Sequence, residues 1–128
     1  MDALSRHIGE VKQQEMLFEI RNYHIRPESL SAYSHWAKTH AVPHLTTKLD
    51  LVGFWINTAE PSQITGEAMD KLGSANVTWI LRWRDIAERD ETLPKIFGSD
   101  DWQPVFAQLP GGLDNYLRME SKFAQSLT

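Results

Sequence analysis

LRWRDIAER, residues 81–89, reads as a strand that runs directly into a helix. Val77, Trp79, Leu81 and Trp83 alternate with Thr78, Ile80 and Arg82, the period of two that sends successive side chains to opposite faces of a sheet. Asp85 then caps a helix that runs to about Phe97, is interrupted by Pro94 and Gly98, and resumes over 101–109. Upstream, LVGFW at 51–55 lies in a strand over 49–57, with Leu51 and Trp55 on one face and Val52, Phe54 and Ile56 on the other. Further upstream, FEIRNY at 18–23 lies in a strand over 16–25 with apolar residues on both parities, the mark of a strand covered on both sides. Between these two strands Pro27 and Glu28 open a helix in which Leu30, Tyr33, Ala37, His40, Ala41 and His44 recur at three- and four-residue steps. A fourth strand over 115–123, with MESKF at 119–123, closes the fold.

The order strand, helix, strand, strand, helix, strand predicts an α+β domain, a four-stranded antiparallel sheet with two helices on one face. Such a sheet leaves its second face bare. That face carries roughly half of the apolar strand residues, and a patch of that kind predicts a homodimer formed sheet to sheet. At ~25 cal/mol per Å², an interface of about 1,600 Å² has the gross driving force to hold it.

With 128 residues the chain makes one domain, expected over 15–125 behind an N-terminal extension of 1–14. A net charge of -4 with no basic stripe argues against a nucleic acid partner. The absence of cysteine excludes disulfides, thiolate metal sites and thiol catalysis, and fits a reducing cytoplasm. Residues 1–14 resemble neither a signal nor a transit peptide, and no segment reaches the ~20 apolar residues that span a bilayer, so no membrane partner is expected.

Taken together, the fragments resemble the NIPSNAP family of the dimeric α/β-barrel (ferredoxin-like) superfamily over residues 17–123. FEIRNY is similar to the family's opening strand through Phe18, Ile20, Arg21 and Tyr23; Trp36 and Pro43 resemble its helix tryptophan and the proline after it. LVGFW, LRWRDIAER, Asp101-Trp102 and MESKF resemble the later segments in the same order. The connection over 59–74 is longer than the family's usual hairpin, and the long targeting region of the vertebrate members has no counterpart. The resemblance implies no shared active site. The wider superfamily implies cofactor-free monooxygenases, cyclases, isomerases and haem-degrading enzymes, with the ligand held between sheet and helices.

Histidine is the first candidate for chemistry, since a neutral imidazole moves protons at physiological pH. His40 and His44 lie one turn apart on the stripe expected to face the sheet or the cleft mouth, and His24 follows Asn22 on the first strand. Ordinary histidines at a helix end are the competing reading. His40 and His44 have the spacing of two metal ligands, yet Ala41 stands where the usual glutamate would be, and neither metal nor cofactor is expected. Tyr33, Trp36, Trp55 and Trp83 are candidate walls for a flat apolar ligand, against the alternative of core or interface. Arg82 is a candidate for holding an oxyanion, against the alternative that Arg21 and Arg82 pair with Glu19 and Glu120 across the interior.

These readings predict a homodimeric, cofactor-free enzyme that isomerises or cyclises an apolar, polyketide- or terpenoid-like metabolite. His24, His40 or His44 would serve as acid and base, with Asn22, Tyr33 or Arg82 as polarising groups. A non-catalytic ligand- or protein-binding module and a cofactor-independent monooxygenase are the alternatives. The segment 59–74 is expected to be either a lid or disordered.

Overall fold

A computed structural model describes residues 15–128; the expected extension over 1–14 lies outside the described residues. The strands are β1 (Leu17–Ile25), β2 (Leu51–Ile56), β3 (Val77–Trp83) and β4 (Tyr116–Gln125). They form one sheet in the order β2-β3-β1-β4, with every pair antiparallel. The helices α1 (Leu30–Trp36) and α2 (Val42–Lys48) fill the first crossover; α3 (Ile86–Phe97) and α4 (Trp102–Ala107) fill the second. This is the ferredoxin-like βαββαβ arrangement expected from the strand and helix order. Among the described residues no helix is long and apolar enough to cross a membrane.

Strand parity sets the two faces. Glu19, Arg21, Tyr23 and Ile25 of β1 and Val77, Trp79, Leu81 and Trp83 of β3 are all buried on the helix side. Phe18, Ile20, Asn22, Thr78, Ile80 and Arg82 are only half-buried on the opposite face, which no described helix covers. The aromatic core then grows from contacts between β3, β1 and the helices. Trp79 stacks on Phe54 at 5.4 Å, and Trp36 donates its indole N–H to the Val105 carbonyl at 2.8 Å, tying α1 to α4.

Local sequence explains two departures from ideal geometry. Residues 27–48 form one continuous helical run, but Ala37–Ala41 widens to a π turn between α1 and α2. Pro43 lacks an N–H and its ring crowds the carbonyl four residues back, which is Thr39 inside the widened turn. Four-residue steps drift around a plain α-helix, and the wide turn takes up that drift, so Tyr33, Ala37, Ala41 and Leu45 all stay buried in one line. His40 and His44, expected on this line, are only half-buried beside it.

In β2 the register shifts between Leu51 and Gly53, so Leu51 pairs with Leu81 while Phe54, not Gly53, pairs with Trp79. One extra residue reverses the parity beyond it. Leu51, Phe54 and Ile56 therefore share the helix face, and Trp55, expected beside Leu51, stands on the open face at 50% exposure. Its ring folds back over Gly53, where an added Cβ would meet the indole at 2.4 Å.

Glycine at 53 is thus what lets Trp55 lie flat on the sheet. Gly53→Ala is expected to lift that ring and cost about 1–2 kcal/mol in urea unfolding, with a red-shifted tryptophan emission. Unchanged stability and emission would show that the ring is free to choose another rotamer.

Candidate functional site

Between the sheet and the helices lies a cavity of about 350 Å³. Its walls are Trp36, Phe54, Trp79, Phe97, Trp102 and Phe106, its polar groups are Arg21, the Gln103 amide and the phenols of Tyr23, Tyr33 and Tyr116, and Ala41 and Leu45 contribute from the helical run. The rings meet mostly edge to face: Tyr23 with Tyr116 at 5.4 Å and 86°, Tyr33 with Tyr116 at 5.9 Å and 89°, Trp36 with Trp102 at 6.1 Å and 69°. Such pairs are rigid and add to the stability given by their burial. The lining reaches the surface at Leu113 and Met119, which are 68% and 52% exposed. The way in therefore lies beside the β4 edge.

Among the described residues Arg21 is the only Lys or Arg that lines this cavity, and a buried carboxylate holds it in place. Glu19, two residues earlier on the same face, is fully buried. Its Oε2 accepts from Arg21 Nη1 at 2.6 Å and Arg89 Nη2 at 2.8 Å; its Oε1 accepts from Arg89 Nε at 3.0 Å and Trp83 Nε1 at 3.0 Å. Arg21 also gives Nη1 to Ser121 Oγ at 2.9 Å and Nε to the Tyr23 phenol at 2.7 Å. Its guanidinium lies 5.1 Å from the Trp79 ring centroid and 5.7 Å from that of Phe97.

These contacts set the protonation states. Burial pushes the Glu19 carboxyl up, but the bonds from Arg89, Arg21 and Trp83 outweigh it and hold the group below its ordinary value of 4.5. Burial raises the Tyr23 phenol, and the neighbouring Arg21 only partly offsets this. Tyr33 and Tyr116 are raised far by the same desolvation, so all three phenols are neutral at physiological pH.

The residues singled out from the sequence do not gather at this cavity. Tyr33 and Trp36 line it; the others do not. His24 is buried on the opposite face of β1, in register with Arg118. Asn22 lies on that face too, accepting from Thr78 Oγ1 at 2.7 Å and giving Nδ2 to Glu120 at 3.3 Å. Arg82 holds Asp50 through Nε at 2.8 Å and Nη2 at 3.2 Å. Trp83 faces the helices, yet its N–H is committed to Glu19. His44 rests 5.9 Å from the Trp102 ring, behind the cavity wall, with Nε2 buried and making no hydrogen bond among the described residues. The expected cluster of histidine, amide and arginine is thus dispersed by strand parity and by the π turn.

Arg21, Tyr23, Trp79 and Tyr116 take their place, and one signal for them was present. A Glu, an Arg and a Tyr alternate on the parity of β1 that faces the tryptophans of β3, so the charges had to be buried together. The segment 59–74 does not line the cavity; its Asp70 reaches Arg118 of β4 at 2.6 Å. Among the described residues no three His, Cys, Asp or Glu side chains converge as a metal site.

No family model matches the sequence, and no curated protein matches it. Solved structures share its fold. A NIPSNAP family protein of unknown function from Agrobacterium tumefaciens is 17% identical over 88% of this chain and 89% of its own, with a TM-score of 0.67. A NIPSNAP-like domain protein from Burkholderia xenovorans is 14% identical over 90% of this chain and 88% of its own, with a TM-score of 0.66. A protein assigned as an antibiotic biosynthesis monooxygenase, from Bordetella bronchiseptica, follows at 12% identity, 89% and 99% coverage and a TM-score of 0.55. The resemblance read from the sequence fragments is therefore met in the fold, which these NIPSNAP structures share.

The ion cluster makes an acid-side prediction. Because the folded-state value of Glu19 lies below 4.5, the stability it contributes is complete above that pH and is lost as pH falls through the depressed value. Glu19→Gln is expected to cost about 3 kcal/mol at pH 7, by leaving two guanidiniums without their anion, and to flatten the loss of stability below pH 4.5. Parallel acid-unfolding curves for the two proteins would refute this account of the cluster.

Proposed function

We propose that this chain binds a flat, largely apolar small molecule in the aromatic cavity between its sheet and its helices. The cavity itself carries the reading. Its volume of about 350 Å³, ring-lined walls and few convergent polar groups are what metabolite sites generally have. A filled interior would have favoured a protein-interaction module instead.

A catalytic use of the same cavity is the second reading, and the observation that favours it is the Arg21–Tyr23 pair. The Tyr23 oxygen accepts from Arg21, so its own proton is free to donate to an oxyanion forming on a bound carbonyl. Cofactor-free isomerisation or cyclisation of a polyketide- or terpenoid-like molecule needs such a donor. An acid or base acts within hydrogen-bond reach of the reacting atoms, a condition that favours Tyr23 and Arg21 over His24, His40 and His44. A monooxygenase using oxygen alone is supported by likeness of fold to the Bordetella bronchiseptica protein. Turnover of the bound molecule separates both readings from a non-catalytic binding module.

We further infer that the open sheet face pairs with a second copy of the chain. Phe18, Ile20, Ile80 and Ala124 are half-buried there and Trp55 is half-exposed, while Lys122 and Glu120 sit towards the β4 edge. This is the apolar centre and polar rim of an association surface.

Two measurements test these readings. Ala41→Leu, which puts a larger side chain against the cavity, is expected to weaken naphthalene-type probes at least about tenfold by tryptophan quenching while near-UV circular dichroism stays native. Unweakened binding would move the ligand elsewhere. Ile80→Glu is expected to convert a dimer into a monomer in sedimentation equilibrium; a wild-type monomer would dispose of the pairing.

A further inference from the structure

The floor of the cavity presents N–H and O–H donors and, among the described residues, no carboxylate with a free oxygen to whatever lies above it, and from this we infer that the ligand is an anion: an aromatic or polycyclic molecule ending in a carboxylate or an ionised enol. This rests on the binding reading above and specifies its substrate class.

Three groups compose the floor. Arg21 uses Nε on Tyr23 and Nη1 on Glu19 and Ser121, while Nη2 makes no hydrogen bond among the described residues. Tyr23 already accepts from Arg21, so its hydroxyl proton points to another acceptor. Among the described residues the Trp79 indole N–H is buried without a hydrogen bond. The one carboxylate nearby, Glu19, accepts four hydrogen bonds and has no capacity left.

Charge points the same way. Glu19 carries one negative charge between two guanidiniums, and Arg89 takes it bidentately through Nε and Nη2. Asp90, the other partner of Arg89, is 61% exposed in its side chain, so water screens its charge from the cavity. Arg21 is the under-compensated cation. It sits at 9% exposure against the faces of Trp79, Tyr23 and Phe97, where a charge is costly to leave unanswered. A carboxylate on Nη2 and the Tyr23 hydroxyl would answer it with charge-assisted hydrogen bonds, while the rings hold the apolar body.

The test compares 2-naphthoate with 2-naphthamide at pH 7.5, by isothermal titration and tryptophan quenching. The pair shares one skeleton and differs in charge. The naphthoate is expected to bind about tenfold or more tightly, with a preference that weakens in Arg21→Met while the amide's affinity holds. That variant leaves Glu19 paired with Arg89; should it fail to fold, Tyr23→Phe, which deletes only the hydroxyl donor, is expected to cost the naphthoate more than the amide. Equal binding of the two probes by the native protein would overturn the anion assignment and leave the cavity a neutral apolar site. Failure of both probes to bind would overturn the binding reading on which it rests.

Discussion

A carboxylate buried on an apolar strand face is the constraint around which this structure is arranged. Glu19 cannot be ionised there without several compensating donors, because desolvation of a charge costs more than any one ion pair returns. The fold supplies four bonds from three residues: Arg21 on the same strand, Trp83 on the neighbouring strand and Arg89 on α3. Those residues come from three separate parts of the chain. Satisfying Glu19 therefore fixes the distance of α3 from the sheet and the direction in which Arg21 leaves β1. The guanidinium beside the cavity is a consequence of that requirement.

The cavity itself follows from a mismatch of sizes. Large rings line the sheet side, through Tyr23, Phe54 and Trp79, whereas the buried line of the helical run meets the cavity with the small Ala41 between Tyr33 and Leu45. Ring contacts, many of them edge to face, keep the rings from collapsing into the gap, since every lining ring except Phe54 meets two or more others; Trp36 alone meets Tyr33, Trp102 and Phe106. The π turn matters here because it holds small residues on one line where a regular helix would have rotated His40 or His44 toward the sheet. A protein with no ligand to accommodate has little reason to leave such a volume unfilled, given how closely interiors normally pack.

Period and punctuation made the architecture legible in the sequence. β3 shows unbroken alternation, Asp85 accepts from the Glu88 amide at 2.8 Å as a cap should, and element ends fall within a residue or two of expectation. What stayed hidden were single-residue insertions. The bulge at Val52–Gly53 moves Trp55 to the open face, and the π turn moves two histidines off the buried line; neither changes the hydrophobic pattern enough to announce itself. Of the candidate site, Tyr33 and Trp36 were legible because they sit before the π turn, where helical spacing still holds. Arg21 was read as half of an ion pair, which it is; that its remaining nitrogen borders a cavity depends on helices far away in sequence.

The chemistry of the lining bears on how the proposed cavity could work. Its polar groups are a guanidinium, the Gln103 amide and neutral phenols, and burial holds those phenols above their ordinary range, so among the described lining residues there is no side chain poised to remove a proton near pH 7. On the binding reading this is no defect, because recognition of an anion needs only donors. On the catalytic reading it restricts the substrate to molecules acidic enough to arrive ionised, whose developing charge the Arg21–Tyr23 pair would hold in place while a new bond forms. Both readings therefore converge on one electrostatic property, a cation stabilised from behind by Glu19 and facing an otherwise apolar chamber, and they differ only in whether the bound anion reacts.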